Sequence, residues 1–266
     1  ASISKPITAT ALLILVERGL IDLDRPANDY LGDSKLKAWI GNADDATLRR
    51  IANHTSGLPT HYHFFFEDEP YSPPPMDETI RRYGHLVNPP GETYRYANMG
   101  FGILDYIITL VSGKPYAQFV REEVFDPLGM TRSSIGLPPS LAPQHATRYT
   151  EENSPIPYCD FDHPGASAAF CSAHDLVRFG MFQLKTHLPD QMSILSDSAI
   201  DLMQLPTADI DKNKGYGIGW SIEQIPGGST VIQHGGNMGG VRTCLYLVPD
   251  LRLAVVALIN ANNELP

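Results

Sequence analysis

The chain opens with ASISKPITATALLILVERG, residues 1–19, and this stretch decides the fold. Apolar residues occupy most of the circumference from Ile7 to Val16, which is typical of a helix covered by protein on several sides. Gly19 predicts the end of that helix. Ser2 and Lys5 stand three residues apart at its start, and positions i and i+3 share one face of a helix. A lysine placed there can activate a serine hydroxyl, which is a weak nucleophile by itself.

The pattern S-x-x-K is weak evidence alone, because it occurs again at residues 34–37, in a polar segment that we interpret as solvated surface. Ser2 is the favoured match, since the free N–H groups and the dipole at a helix start stabilise developing negative charge. The alternative for the first match is a capping serine with Lys5 on the surface.

Composition and charge exclude several classes of function. The 266 residues carry a formal net charge of −10, with 42% hydrophobic and 19% charged residues, which is ordinary for a globular protein. The apolar run at residues 6–16 is too short to span a bilayer, so no membrane segment is expected. The chain lacks a stretch dense in Lys and Arg, so no nucleic-acid partner is expected. Three cysteines without C-x-x-C predict neither a disulfide scaffold nor a structural zinc site.

Secondary-structure signals change character along the chain. Between about residues 27 and 205 they predict helices separated by long loops, with helices at 47–52, 76–83, 98–111, 116–124, 172–184 and 196–203. After about Lys214, runs rich in β-formers predict strands at 216–223, 230–234, 243–248 and 253–260. This order predicts the α+β class, with an antiparallel sheet flanked by helices (residues 1–26 and 206–266) and a mainly helical lobe (27–205).

Two further segments hold candidate site residues. Tyr96-Ala97-Asn98 precedes an apolar helix, and a tyrosine near a lysine can act as a base or proton relay. Its alternative is a packed tyrosine and a helix-capping asparagine. His234-Gly235-Gly236 closes a predicted strand, where glycine lets backbone N–H groups approach a substrate. Its alternative is a hairpin turn with an incidental histidine.

Aromatic and histidine residues between 54 and 71 point to packing more than to chemistry. The segment from His54 to Pro59 predicts a helix end followed by a loop. His61 and His63 offer two metal ligands, but no neighbouring Asp or third His completes a site, so no metal is expected. The run 64–66 can wall an apolar pocket, although core packing is the more common explanation.

In this order, the motifs S-x-x-K, H-T-S-G-L-P, Y-x-N and H-x-G resemble those of the serine β-lactamase-related family. That family includes class C β-lactamases, D-alanyl-D-alanine carboxypeptidases, D-aminopeptidases, penicillin-binding proteins and related esterases. Segments 17–24, 164–168 and 216–220 extend the resemblance over nearly the whole chain. It implies a β-lactamase/DD-peptidase-like fold in which residues 1–266 form a single catalytic unit, with the site between the two lobes.

The resemblance also implies roles for the first and third motifs. Ser2 would be the acyl-forming nucleophile. Lys5 and Tyr96 would share its proton, and which of the two is the base stays open. Asn98 would orient the substrate amide and Lys5. No metal or cofactor is implied.

The last motif departs from class C enzymes, which have Lys where this chain has His234. Lys is a permanent charge suited to a substrate carboxylate, whereas His is largely neutral at pH 7. Gly236 and His234 would line the substrate site, and the N–H groups of Ser2 and Asn237 would form the oxyanion hole.

We therefore expect a serine hydrolase acting through acyl-Ser2 on a small ester or D-amino-acid amide or peptide, with weak or absent β-lactam cleavage. The alternative is a catalytically inactive binding or scaffolding relative. The resemblance implies a helix and two strands before the S-x-x-K helix and a helix after the last strand, so we expect a longer natural chain. It favours a periplasmic or secreted location, while the sequence leaves the compartment, oligomeric state and exact substrate undetermined.

Overall fold

A computed structural model describes residues 1–261 of the chain. Apart from short 3₁₀ turns and a π turn at Arg121–Phe125, eight helices occur in this part. They are α1 (Ser4–Glu17), α2 (Leu48–Ala52), α3 (Met76–Tyr83), α4 (Asn98–Ser112), α5 (Tyr116–Val120), α6 (Pro164–Ser167), α7 (Ala173–Gln183) and α8 (Asp197–Met203). Each predicted helix has a counterpart, although the one predicted at 116–124 is α-helical only through Val120.

Residues 208–259 form a six-stranded sheet in which all neighbours are antiparallel. Its spatial order is β14-β13-β12-β11-β10-β9. The strands are β9 (Ala208–Asp211), β10 (Lys214–Tyr216), β11 (Ser221–Gln224), β12 (Thr230–Met238), β13 (Val241–Val248) and β14 (Leu253–Ile259). The helix α7 packs on β13 and β14. The predicted α+β class and antiparallel meander are therefore confirmed.

Helix α1 is covered on all sides, as its apolar circumference predicts. Every residue from Ser4 to Leu15 is buried, and the helix contacts α4, α6 and α8. Each fully buried aliphatic side chain stabilises the fold by about 1.5–3 kcal/mol relative to exposure. The segment preceding β11 also reaches this helix, because a Cβ at Gly219 would lie only 2.7 Å from the Ala9 Cβ and 3.0 Å from the Lys5 carbonyl oxygen.

The middle of the chain contains eight short strands that the sequence did not predict. They pair as β1 with β3, β2 with β7, β4 with β8 and β5 with β6. Their bounds are β1 (Lys37–Ala38), β2 (Phe64–Phe66), β3 (His85–Leu86), β4 (Ser133–Ile135), β5 (Arg148–Tyr149), β6 (Pro155–Ile156), β7 (Cys159–Phe161) and β8 (Ala169–Cys171). Segments of two or three residues are too short to show a periodic pattern, so only the pairing defines them.

Strand β12 is longer than predicted. The sequence predicted its end at His234 with a glycine turn beyond, but pairing continues through Gly236↔Thr243 and Asn237↔Arg242 to Met238. This extension carries the last motif along the sheet instead of into a loop. Across residues 1–261, the structure contains no helix with the length and apolarity needed to cross a membrane.

Candidate active site

Ser2 lies in a tight turn that leads into α1. The Ser4 N–H donates to the Ala1 carbonyl at 3.0 Å, and the Lys5 N–H donates to the Ser2 carbonyl at 3.0 Å. The Lys5 Nζ lies 3.2 Å from the Ser2 Oγ. The predicted serine–lysine pair is therefore in hydrogen-bonding contact.

The second S-x-x-K match has a different local structure. Residues 34–37 form no helical turn, and Lys37 begins the strand β1. The expectation of solvated surface is wrong for the serine, since Ser34 is buried and its N–H donates to the Leu31 carbonyl at 3.1 Å. Without helical geometry, the i and i+3 positions no longer share a face.

Lys5 is fully buried and its Nζ is held by two oxygen acceptors besides the serine. It donates to the Asn98 Oδ1 at 2.7 Å and to the Ala166 carbonyl at 3.1 Å. Both partners only accept, so a neutral amine uses its two N–H groups on them. Its lone pair is then left for the Ser2 hydroxyl proton.

Burial sets the protonation states of Lys5 and Tyr96, the two candidate bases. It lowers the pKa of Lys5 well below the ordinary lysine value, which favours the neutral amine. Burial raises the pKa of Tyr96, and a hydrogen bond with the Ser2 side chain acts in the opposite, weaker direction. The Lys5 Nζ lies 4.6 Å from the centre of the Tyr96 ring. Burial thus favours the phenol form of Tyr96 and the neutral amine of Lys5 beside the Ser2 side chain.

The Ala166 carbonyl is positioned by contacts that fix α6. The Gly165 N–H donates to the Asp105 Oδ2 at 2.6 Å, and the Gly165 carbonyl lies 2.6 Å from the Thr8 Oγ1. Asp105 belongs to α4 and Thr8 to α1, so α6 is tied to both helices that supply site residues. The P-G-A-S segment resembles the family in sequence, but its role in holding Lys5 was not predicted.

His54 is a site residue whose role the sequence analysis missed. Its Nδ1 accepts from the Ala97 N–H at 3.2 Å, between the two functional residues of the Y-x-N motif. Its buried ring lies 4.3 Å from the Tyr96 ring and 4.8 Å from the Tyr216 ring, centre to centre. Burial lowers the pKa of His54, so the ring is neutral. The sequence signal was the H-T-S-G-L-P motif, which carried no assignable chemistry by itself.

His234 is buried with both ring nitrogens hydrogen-bonded. The Nδ1 lies 2.7 Å from the Gly235 carbonyl, which can only accept, so Nδ1 carries the proton. The Nε2 therefore accepts from the Tyr216 hydroxyl at 2.9 Å. Burial lowers the pKa of His234 to about 3. The ring is neutral and offers no positive charge to a substrate carboxylate.

Gly236 brings β12 directly against the Ser2 turn. A Cβ at this position would lie 3.0 Å from the Ser2 backbone nitrogen, 2.7 Å from the Ala1 Cβ and 2.3 Å from the Thr243 Oγ1. The Ser2 backbone and β12 at Gly236, the residue before Asn237, are thus close neighbours.

A shallow cleft of about 370 Å³ opens at this strand edge. It is lined by Tyr62, Phe64, Glu151, Asn237, Met238, Gly239 and Arg242. A larger cavity of about 1120 Å³ lies beside Ala1 and Thr243, and the described linings of both the cavity and the cleft lack Ser2, Lys5 and Tyr96. Of the predicted site residues, Asn237 lines the cleft, and the aromatic run contributes Phe64 to its wall.

The expectation that no acidic residue or third histidine joins His61 and His63 is wrong. Antiparallel pairing of β2 with β7 places Phe64 opposite Phe161. The residues just beyond that pair therefore meet, and the His63 N–H donates to the Asp162 Oδ1 at 2.9 Å. His163 follows, with its Nε2 3.0 Å from the His61 Nδ1. The partners lie about a hundred residues away, beyond the reach of a local motif.

The chain is similar to several known proteins. Unguisins hydrolase ungD' of Aspergillus campestris is 28% identical over 97% of this chain and 51% of its own length. Penicillin-binding protein 4* of Bacillus subtilis is 26% identical over 99% of the chain and 60% of its own length. The chain thus spans little more than half the length of these relatives. A penicillin binding protein from Bacillus halodurans shares the fold, with a TM-score of 0.81 at 24% identity, covering 99% of this chain and 80% of that one.

The family model named Beta-lactamase matches residues 1–266, which is the full sequence given. The chain belongs to the β-lactamase family.

Proposed function

We propose that this protein is a serine hydrolase that forms an acyl-Ser2 intermediate with a small ester or D-amino-acid amide. The observation that carries the proposal is the buried Lys5 Nζ, which donates to two fixed oxygens and faces the Ser2 Oγ at 3.2 Å. The names of the relatives, a hydrolase and a penicillin-binding protein, support the same reaction class.

Lys5 acts as the general base in this proposal. Its neutral amine takes the Ser2 hydroxyl proton while Oγ forms a bond to the substrate carbonyl carbon, and the carbonyl electrons move to oxygen. When this tetrahedral species collapses, the bond to the leaving alcohol or amine breaks. The leaving group takes the proton back from Lys5, with the Tyr96 hydroxyl as a relay beside it. Water then attacks the acyl group by the same steps and frees Ser2.

The N–H groups of Ser2 and Asn237 hold the developing oxyanion. The close approach of β12 at Gly236 supports this role, because it brings the strand edge to the Ser2 backbone. One such donor is worth about 2.7–4 kcal/mol of transition-state stabilisation.

A neutral His234 favours substrates that carry no carboxylate near the reacting carbonyl. The low pKa of its ring, about 3, leaves it uncharged at neutral pH. The β-lactams that class C β-lactamases cleave carry an anionic group, so we expect neutral esters and amides to react faster than cephalosporins.

Two serine variants test the nucleophile. Ser2→Ala should abolish hydrolysis of a short-chain p-nitrophenyl ester, whereas Ser34→Ala, the serine of the other S-x-x-K match, should keep the wild-type rate. Intact mass after a fluorophosphonate probe should show one adduct on the wild type and on Ser34→Ala. Ester turnover that survives Ser2→Ala would refute the nucleophile. A folded wild type without any adduct would favour the inactive binding relative.

A second substrate class is a D-amino-acid peptide ending in a carboxylate. Arg242 favours this class, because its side chain is cationic and the residue lines the same cleft. It lies on β13, opposite Asn237 of β12. If such peptides are substrates, Arg242→Gln should raise their KM and leave the KM of the neutral ester unchanged. Equal effects on both substrates would contradict a carboxylate contact.

A further inference from the structure

Three metal-ligating side chains, those of His61, His63 and Asp162, lie together where β2 begins and β7 ends, and His163 adjoins them. The His61 Nδ1 lies 3.0 Å from the His163 Nε2 and 3.5 Å from the Asp162 Oδ2. The His163 Nε2 lies 3.7 Å from the Asp162 Oδ1. His61, His63 and Asp162 each offer one ligand atom, and these three atoms lie within 4.8 Å of one another.

These separations match the coordination sphere of a small cation. Zinc with ligands at about 2.0–2.1 Å in a tetrahedron keeps its ligand atoms about 3.3 Å apart. The distances from His61 and His163 to the Asp162 carboxylate, 3.5 and 3.7 Å, lie close to that spacing. The 3.0 Å contact between the two rings is a hydrogen bond, which a metal ion would replace with release of the shared proton.

The burial and the donor atoms of these side chains favour a bound cation. The Asp162 side chain is 1% exposed and that of His61 is 11% exposed, and two imidazoles with a carboxylate are a borderline donor set. Tyr83 stacks on His61 at 4.0 Å between ring centres and fixes the plane of the imidazole.

An entry path is present at His63, which is exposed, while His163 is fully buried. A metal ion from solvent would therefore bind first to the exposed His63, and the buried residues would then complete its coordination. Nitrogen ligands select transition metals, whereas Mg²⁺ and Ca²⁺ prefer sites made of oxygen alone.

The cluster is also linked to the active site through the backbone. Thr60, next to His61, donates from its Oγ1 to the Tyr96 carbonyl at 2.9 Å. Three residues after His163, the Ala166 carbonyl accepts from Lys5. A metal that joins the 61–63 segment to residues 162–163 would hold both contacts in place.

We propose that His61, His63 and Asp162 bind a zinc ion that clamps these two segments together, with His163 available as a fourth ligand once its hydrogen bond to His61 is released. The site does not depend on acyl transfer at Ser2, so metal binding and hydrolysis are tested separately.

The experiment measures zinc binding to the chelator-treated, untagged protein by calorimetry and by the thermal melting shift. The wild type should bind one equivalent of Zn²⁺ and melt at a higher temperature with it, while Mg²⁺ and Ca²⁺ should give no shift. His63→Ala should weaken zinc binding at least about 10–100-fold, the loss already typical of changes around a metal ligand. Asp162→Asn, which keeps the side-chain shape, should weaken it similarly.

His174→Ala is the matched control, because this histidine is 78% exposed and lies on α7 outside the cluster. It should bind zinc like the wild type. Absence of zinc binding by the wild type would overturn the proposal. So would zinc binding that is unchanged in His63→Ala, because the ion would then sit elsewhere, for example on the free cysteines. The Ser2→Ala variant should retain zinc binding even where it loses hydrolysis.

Discussion

Replacing Gly236 by alanine would force β12 away from the nucleophile. The new Cβ would lie 2.3 Å from the Thr243 Oγ1, 2.7 Å from the Ala1 Cβ and 3.0 Å from the Ser2 nitrogen. The first two separations are shorter than non-bonded carbon contacts allow, so the strand or the Ser2 turn has to move. Either movement separates the Ser2 N–H from the Asn237 edge that would complete the oxyanion hole.

Two free energies follow from this displacement. Losing one oxyanion donor costs about 2.7–4 kcal/mol, which is about 100–1000-fold in kcat. Overpacking at a close contact costs about 1–3 kcal/mol of stability. The variant therefore still folds if the wild type has an ordinary free energy of unfolding. We therefore expect a folded Gly236→Ala variant with ester kcat lowered by two to three orders of magnitude and a modestly lower Tm.

The neighbouring glycine is the matched control. A Cβ at Gly235 would meet only the Thr243 carbonyl oxygen, at 3.5 Å, an ordinary contact distance. Gly235→Ala should therefore keep near-wild-type kcat/KM for the p-nitrophenyl ester. Adding Thr243→Ala to Gly236→Ala removes the shortest clash but leaves the one with Ser2, so activity should stay low. The reasoning fails if Gly236→Ala retains kcat/KM within about tenfold of wild type, or about 1.4 kcal/mol, or if Gly235→Ala is equally impaired.

Three further predictions concern the base, the buried histidine and the core. Lys5→Arg introduces a permanent positive charge that cannot accept a proton, so ester kcat/KM should fall about 100–10,000-fold. In the wild type, kcat/KM should rise with pH through the lowered pKa of Lys5. A Lys5→Arg variant with more than a tenth of wild-type activity would contradict the role of Lys5 as general base. His234 has a pKa of about 3 in the fold against about 6.5 unfolded, so its contribution to stability is full above pH 6.5 and is lost as pH falls toward 3. The loss is about 2 kcal/mol at about pH 5, and urea unfolding of His234→Gln should depend less on pH over that window. Gly219→Ala adds a Cβ 2.7 Å from the Ala9 Cβ at φ +77°, whereas Gly113→Ala at φ +70° meets nothing within 4 Å. Gly219→Ala should thus lower the free energy of unfolding by about 1–3 kcal/mol more than Gly113→Ala does, and equal melting curves would count against the packing at α1.

The sequence predicted the elements whose signals are local. Helix α1 was predictable because its apolar residues cover the whole cylinder, and α7 because Ser172 caps it, with the Ser172 Oγ accepting from the Asp175 N–H. The strand β12 was predicted too short, since paired glycines usually indicate a turn. Here the glycines instead allow the strand to pass beside the Ser2 backbone, a contact that only the folded chain creates.

Site residues were predictable to the extent that they belong to a short motif. Ser2 and Lys5 are three residues apart, and the structure places them in contact. The Ala166 carbonyl was not predicted, because a backbone oxygen has no sequence signal and lies 161 residues from Lys5. Asp162 was missed beside His63 for the same reason, since strand pairing, and not sequence proximity, brings the two together.

The neutral ring of His234 has a further consequence for how substrates arrive. Both of its nitrogens are engaged, and it adds no cation to a chain of formal net charge −10. An anionic substrate therefore diffuses toward the site against a repulsive field, while a neutral ester does not. Added salt shortens the range of that field, to about 10 Å at about 0.1 M ionic strength. Encounter rates should thus rise with ionic strength for anionic substrates alone, so that the protein discriminates between substrates before they reach Ser2.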